Sequence, residues 1–363
     1  MPVKTGTASE HKTQTGEPMS IRWAILSCGD FADSRGALGI NQAEGAELVA
    51  VHSRDQGRAD SFTEKHGAKT AYTSVGDVLA DSRIDAVYIT SLNHLHVKYT
   101  TMAANAGKHL LVEKPLSLNM AEGVEVLQVC HDREVNLGVG LHLRHHPGHI
   151  EIRRLVAEGA LGIVALAQAQ IGQGEQGNVF PEPRAGLQDW WTHPEWVGGA
   201  FSMLTIGVRA IDDLQYLLGQ QVVEIAAITD AQTSEKPLED PATMCLRFEN
   251  GTIGTMICGM RLPEFQNDVA LYGSEGKVML ADGSWPRLQG ELRVSSETVN
   301  TTVAYEPDFV FLVTKNIEHF QMAITEDREP SASGLDGLKS VQLTEVMVES
   351  AKTGRTIKLE VLS

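Results

Sequence analysis

An α/β fold followed by an α+β fold is predicted for this 363-residue chain, and three observations predict it. From Ile21 to about Gly140, short apolar runs alternate with amphipathic stretches, the pattern of βαβ units on a doubly wound parallel sheet. Beyond about Leu141, strands follow one another closely with Gly at the turns, which argues for a large, open and mostly antiparallel sheet. The length suffices for two domains of ordinary size.

In the first part, "RWAIL", "ELVAVHS", "IDAVYIT", "KHLLVEK" and "VNLGVG" read as strands. "DQGRADSFTEKHG", "SVGDVLADS" and "VKYTTMAANAG" read as the helices between them, several ending at Gly. The second part opens with a helix, "PGHIEIRRLVAEGALG", and a strand, "IVALAQAQIG". A loop-rich stretch with Pro181, Pro183 and Trp190-Trp191 follows, then a helix over about 202–218. Strands are expected in "VVEIAAITD", "ATMCLRFENG", "TIGTMICGM", "NDVALYGSEG" and "KVMLA", and two closing helices over about 308–325 and 336–353 pack back across the domain junction. The expected units are a polar, disordered extension (1–20), a dinucleotide-binding domain (21–141) and an α+β domain for substrate and oligomer contacts (142–363).

Composition removes several function classes. The net charge of −17 argues against nucleic acid, whose phosphates need clustered Lys and Arg, and against an anionic membrane surface. No apolar run approaches the roughly 20 residues of a membrane span, and the N-terminus has no signal-peptide core, so a cytoplasmic enzyme is expected. Cys28, Cys130, Cys245 and Cys258 show no metal-ligand spacing, so no metal is expected and buried free thiols are.

In open α/β sheets ligands bind at the carboxyl ends of the strands. Three such ends carry polar residues: Ser27-Cys28-Gly29, His52-Ser53-Arg54 and Val112-Glu113-Lys114-Pro115. The first turn, "AILSCGDFADSRG", is a degenerate dinucleotide fingerprint with Ser27, Gly29 and Ala32 at the three small-residue positions and Asp30 and Phe31 between them. All five are expected at the cofactor in a Rossmann fold. At the end of the second strand Ser53-Arg54 stands where NAD sites carry an acid, and the arginine leans toward the 2′-phosphate of NADP, with NAD the alternative.

With these residues in place the chain resembles the glucose–fructose oxidoreductase / inositol dehydrogenase (Gfo/Idh/MocA) family. The resemblance runs from Ile21 to the C-terminus. It rests on the block Asn93, His96, Ala106-Gly107-Lys108-His109 and Glu113-Lys114-Pro115, on "RHHPGHIEIRRLVAEGALG", on "GSEGKVML" and on the C-terminal helices. It implies NAD or NADP as cofactor, a sugar or cyclitol substrate, and a homo-oligomer, dimer or tetramer. It also implies that Lys114 lies beside the nicotinamide and the reacting hydroxyl, that Pro115 follows a cis bond, and that Asn93, His96 and Glu113 belong to the cofactor pocket. A lysine there can hydrogen-bond the carbinol oxygen and favour its deprotonation.

The chain departs from the family on one helix. Where members commonly carry a substrate-binding Asp and, four residues on, a general-base His, this sequence has Thr205 and Arg209. Arginine stays protonated, so the usual base is missing. His142, His145 and His146 beside Arg144 are alternative bases, His146 being the one assigned a catalytic role with Lys114. Removing an acid and adding Arg209, with Arg144 and Arg184 directed at the same cleft, predicts a substrate with an acidic group: a uronic acid, sugar phosphate or sulfosugar. Thr205, Arg144 and Arg209 are therefore assigned to substrate. The competing expectation is an internal ion pair of Arg209 with Asp212 or Asp213. For activity the leading expectation is hydride exchange between sugar and nicotinamide C4. The alternatives are a redox-assisted glycosidase, with transient oxidation, elimination and re-reduction, and a silent ligand sensor.

Overall fold

The structure, a computed structural model, describes residues 20–174 and 193–363. The N-terminal extension expected over 1–20 falls outside them apart from Ser20, as do Pro181, Pro183, Arg184 and Trp190-Trp191.

The first sheet comprises β1 (Ile21–Leu26), β2 (Ala46–His52), β3 (Thr70–Tyr72), β4 (Ala86–Ile89), β5 (His109–Val112) and β6 (Leu137–Val139). All pairs are parallel, in the order β3-β2-β1-β4-β5-β6. This order reverses between β1 and β4, and ligands bind at such a reversal. The central strands are apolar but for Arg22 of β1, and β4 is buried at all four positions, because helices cover both faces.

Helices α1 (Ala37–Gln42), α2 (Gln56–His66), α3 (Val75–Ala80), α4 (His96–Asn105) and α5 (Met120–Asp132) make the crossovers. Asp55, Ser74 and Asn119 accept the first free amides of α2, α3 and α5, satisfying donors that no helical carbonyl reaches. The chain continues through α6 (Pro147–Ala157), β7 (Val164–Gly172) and α7 (Val208–Leu218). Next come β8 (Val222–Thr229), β9 (Ala242–Phe248), β10 (Ile253–Gly259), β11 (Val269–Gly273) and β12 (Gly276–Ala281). It ends with β13 (Gly290–Ser296), β14 (Asn300–Tyr305), α8 (Phe309–Thr325), α9 (Gly334–Thr353) and β15 (Ile357–Lys358).

The second sheet has nine strands in the order β14-β13-β12-β11-β7-β10-β9-β8-β15, antiparallel except for β10 with β7. The amphipathic α7 packs on its covered face, contributing Ile211, Leu214 and Leu217 to the core. As expected, the closing helices return toward the first sheet. Trp23 of β1 packs its ring 5.7 Å from Phe320 of α8 and donates to Gln321 Oε1.

Four strands escaped the sequence reading: β3, β13, β14 and β15. β3 and β15 have only three and two residues, β13 carries just Leu292 and Val294 as apolar residues on its buried face, and β14, at the sheet edge, is almost wholly exposed. All four cysteines are free, but Cys245 is exposed, not buried, because it sits on the outward register of β9.

Candidate active site

The first βα turn folds as the fingerprint requires. Ser27 adopts φ +85°, a left-handed conformation that costs a non-glycine residue on the order of 1 kcal/mol, held by the hydroxyl of Thr90, which donates to the Ser27 carbonyl at 2.8 Å. A Cβ on Gly29 would meet no protein atom within 4 Å. The protein itself does not need glycine there; a close-approaching pyrophosphate does. Ala32 is fully buried and opens a π-turn, Ala32–Gly36, while Asp30 is exposed. Phe31 stacks on His142 at 6.0 Å and meets Tyr88 and Phe309 edge-on. At the end of β2, Ser53 is buried, and its hydroxyl accepts from the Asp55 amide. Arg54 is exposed and forms no ion pair with another described residue, so it is available to a phosphate. These features fit a dinucleotide.

The Lys114–Pro115 peptide is cis, and Lys114 is buried. His96, fully buried, sits behind this turn with Nδ1 2.6 Å from the Pro115 carbonyl and Nε2 3.0 Å from that of Ser91. It braces the turn from behind. Asn93 is buried with its Nδ2 unpartnered among the described residues, a donor left for a ligand. Glu113 is also buried, and its Oε1 accepts from the Tyr88 hydroxyl and from His142 Nε2, both at 2.8 Å. Burial opposes its ionisation, but His142, Lys114 and Arg209 outweigh burial and hold the carboxyl down at about 2. Glu113 is thus a fixed negative charge, already bonded inside the protein.

Opposite Lys114, the helix that leads into α7 begins with a second π-turn, Met203–Gly207. Its widened backbone lets the Thr205 carbonyl accept two side-chain donors, Lys114 Nζ at 3.0 Å and Arg209 Nη1 at 2.6 Å. The Thr205 hydroxyl bonds back to the Phe201 carbonyl at 2.6 Å. Burial, and then the charge of Arg209, push Lys114 well below the ordinary lysine range, against Glu113. Burial likewise pushes Arg209 down to about 10, so it stays cationic near neutrality. Arg209 makes no ion pair with Asp212 or Asp213. Asp212 is taken by Arg144 and Asp213 by His149, and Arg209 Nε is buried with no partner among the described residues.

Arg144 and His146, expected at the substrate and in the chemistry, are each held by contacts within the protein. Arg144 binds Asp212 through Nε and Nη2 (2.9 and 2.6 Å) and Asp336 and the Ser331 carbonyl through Nη1 (2.9 and 2.8 Å). Its fork is consumed in joining α7 to the start of α9, which leaves little for a substrate. His146 is the N-cap of α6, its Nδ1 accepting from the Gly148 amide and its Nε2 meeting the Leu288 carbonyl. Both ring nitrogens are engaged, and burial pushes its pKa down to about 3. His145 faces Asn316 and His319. Of the three histidines, His142 alone touches Glu113.

Two further groups join the site without a sequence signal: Arg35, from the first π-turn, and the aromatic pair Trp285 and Phe309, 4.9 Å apart. A cation one turn into a helix and two aromatics distant in sequence look like ordinary surface and core until the fold brings them together.

The chain matches the model of an oxidoreductase family with an NAD-binding Rossmann fold (GFO_IDH_MocA) over residues 21–141, and that of the GFO/IDH/MocA C-terminal domain over residues 149–279. It is 27% identical to 1,5-anhydro-D-fructose reductase of Ensifer adhaerens, over 93% of this chain and 98% of that protein. Identity to D-xylose 1-dehydrogenase [NADP(+)] of Haloarcula marismortui is 23%, over 97% and 96%. Its fold is similar to that of aldose-aldose oxidoreductase from Caulobacter crescentus complexed with glycerol (TM-score 0.82, 24% identity, 94% of this chain and 100% of that one). Levoglucosan dehydrogenase in complex with NADH and levoglucosan is also similar (TM-score 0.83, 19% identity, 94% and 99%). The strand order, the fingerprint turn, the Glu-Lys-Pro turn and these matches agree: the chain belongs to the Gfo/Idh/MocA family of NAD(P)-dependent oxidoreductases.

Proposed function

We propose that this protein oxidises or reduces a sugar carrying an acidic group, with residues 21–141 holding the cofactor and residues 142–363 the sugar. The observation that carries this reading is the shared Thr205 carbonyl. It sets Lys114 and an Arg209 without a carboxylate partner side by side on one backbone oxygen. When bound, the nicotinamide supplies the hydride acceptor or donor. Lys114, its pKa depressed by burial and by Arg209, is suited in its neutral form to take the hydroxyl proton as the carbinol becomes a carbonyl, and to return it in reduction. Glu113, ionised and anchored by Tyr88 and His142, keeps that lysine from losing its proton permanently. This assignment needs no histidine base. Arg54 supports NADP over NAD.

The test is absorbance at 340 nm with NAD and NADP across matched neutral and acidic sugars, in wild type and Arg209→Ala. Net reduced cofactor with an acidic sugar, and a roughly tenfold to hundredfold loss of kcat/KM in the variant, supports the reading. Aglycone release from a glycoside without net reduction replaces it with the glycosidase. Cofactor binding with neither activity leaves a sensor.

A further inference from the structure

Arg35 and Arg209 reach the same pair of aromatic rings from different segments of the chain. Arg35 belongs to the π-turn after β1, and Arg209 follows the π-turn that leads into α7. Such turns cost helical regularity and occur often at functional sites. Each guanidinium lies against the same two rings, Arg35 at 5.2 and 5.3 Å and Arg209 at 5.9 and 6.0 Å from the centroids of Trp285 and Phe309. Their like charges oppose each other, and the charge of Arg35 lowers the pKa of Arg209. Neither has a carboxylate partner among the described residues. Arg35 donates to the Ser34 hydroxyl at 2.7 Å, and Arg209 donates to the Thr205 carbonyl.

Among the described residues, the carboxylate whose charge acts on Arg35, Arg209 and Lys114 together is Glu113, itself bonded to Tyr88 and His142. Arg35 and Arg209 are two cations set against a carboxylate that is already bonded inside the protein, so the pair keeps an excess of positive charge in a chain of net charge −17. Cation–π contact with two rings offsets part of the cost of holding such charges together. It does not supply hydrogen-bond acceptors, and a half-buried guanidinium needs them.

We propose that Arg35 and Arg209 are the two arms of a clamp for a dianionic phosphate monoester on the substrate, with Lys114 left for the reacting hydroxyl. This rests on the proposed sugar oxidoreductase reading and narrows its acidic group. A phosphate presents several oxygens to two planar forks carried by different segments of the chain. A lone carboxylate presents only two oxygens, both in one plane. Both arms also bridge the segment that carries the dinucleotide fingerprint and the helix that faces Lys114, so the clamp engages only when the two sit together.

The test uses the full chain saturated with NADP, titrated calorimetrically with inorganic phosphate and with acetate, for wild type, Arg35→Gln, Arg35→Lys and Arg209→Gln. Thermal unfolding without ligand checks that each variant folds. Phosphate should bind the loaded wild type at least about tenfold more tightly than acetate. Arg35→Gln and Arg209→Gln should each lose roughly tenfold or more, the scale of one charge-assisted hydrogen bond, and Arg35→Lys should recover part of the loss. In kinetics, kcat/KM for a sugar phosphate over its parent sugar should fall in both Gln variants. Unchanged phosphate affinity in Arg35→Gln overturns the clamp. So does equal binding of acetate, and so does phosphate that competes with NADP, which would assign Arg35 to the cofactor pyrophosphate. If Arg209→Gln loses acidic-sugar preference while Arg35→Gln does not, the clamp fails and the proposed function stands. If no sugar reduces NAD or NADP, the proposed function itself fails.

Discussion

Gly29→Ala separates a glycine kept for a ligand from one kept for the fold. A Cβ at position 29 meets nothing within 4 Å, and Gly29 is not among the positive-φ residues, so alanine fits the free protein without strain. Its smaller unfolded-state entropy should make the variant neutral or more stable by up to about 1 kcal/mol. The same methyl projects into the space that the fingerprint keeps clear for pyrophosphate. Overpacking a fitted contact costs roughly 1–3 kcal/mol, or about 5-fold to 150-fold in cofactor affinity. The control is Gly39→Ala. There the new Cβ would stand 2.6 Å from Val313 Cγ1 and 3.2 Å from Ile317 Cδ1, jamming α1 against α8. That variant should lose roughly 1–3 kcal/mol of stability. Denaturant unfolding of the free proteins and calorimetric titration with NAD and NADP read the two effects separately. A Gly29→Ala protein that is clearly destabilised without cofactor, or that binds both dinucleotides as tightly as wild type, refutes the reasoning.

Lys114→Met should lower kcat by at least about a hundredfold while the protein still binds dinucleotide; near-normal turnover removes Lys114 from the chemistry. A neutral Lys114 is needed for oxidation, so kcat should rise with pH through its folded pKa. The positive charge of Arg209 lowers that pKa, so Arg209→Gln should move the acidic limb of the profile to higher pH; a limb that stays or moves down counts against the pairing. Arg144→Met strands Asp212 and Asp336 beside an apolar chain and should cost about 3–5 kcal/mol in denaturant unfolding; a fully stable variant with a raised KM would instead return Arg144 to the substrate. Arg54→Ala should weaken NADP by roughly tenfold and leave NAD nearly unchanged, measured as the ratio of the two affinities; equal losses would place Arg54 elsewhere.

Much of the molecule is written locally in the chain. Periodicity marks β1, β2, β4 and β5 because a parallel sheet covered on both faces demands continuous apolar runs, and Asp55 opens the stretch that folds as α2, where a helix start leaves amides that only a side chain can meet. The Glu-Lys-Pro turn, the fingerprint and the Thr205–Arg209 pair, four residues apart on one helix, could all be read before any coordinates. β14 could not, since this edge strand is almost wholly exposed and lacks the apolar alternation that marks a strand. The partners of charged side chains were the other gap. Sequence spacing offered Asp212 and Asp213 to Arg209, but the fold gives Asp212 to Arg144 and Asp213 to His149. It likewise turns His146 into a helix cap and brings Arg35, Trp285 and Phe309 to Arg209 from three distant segments. Hydrophobic pattern and capping act over a few residues and leave a local trace in the sequence. Whether a buried charge meets a carboxylate, a ring or nothing depends on which segments the packing brings within a few ångströms, and that is decided only when the two sheets and their helices close around the cleft.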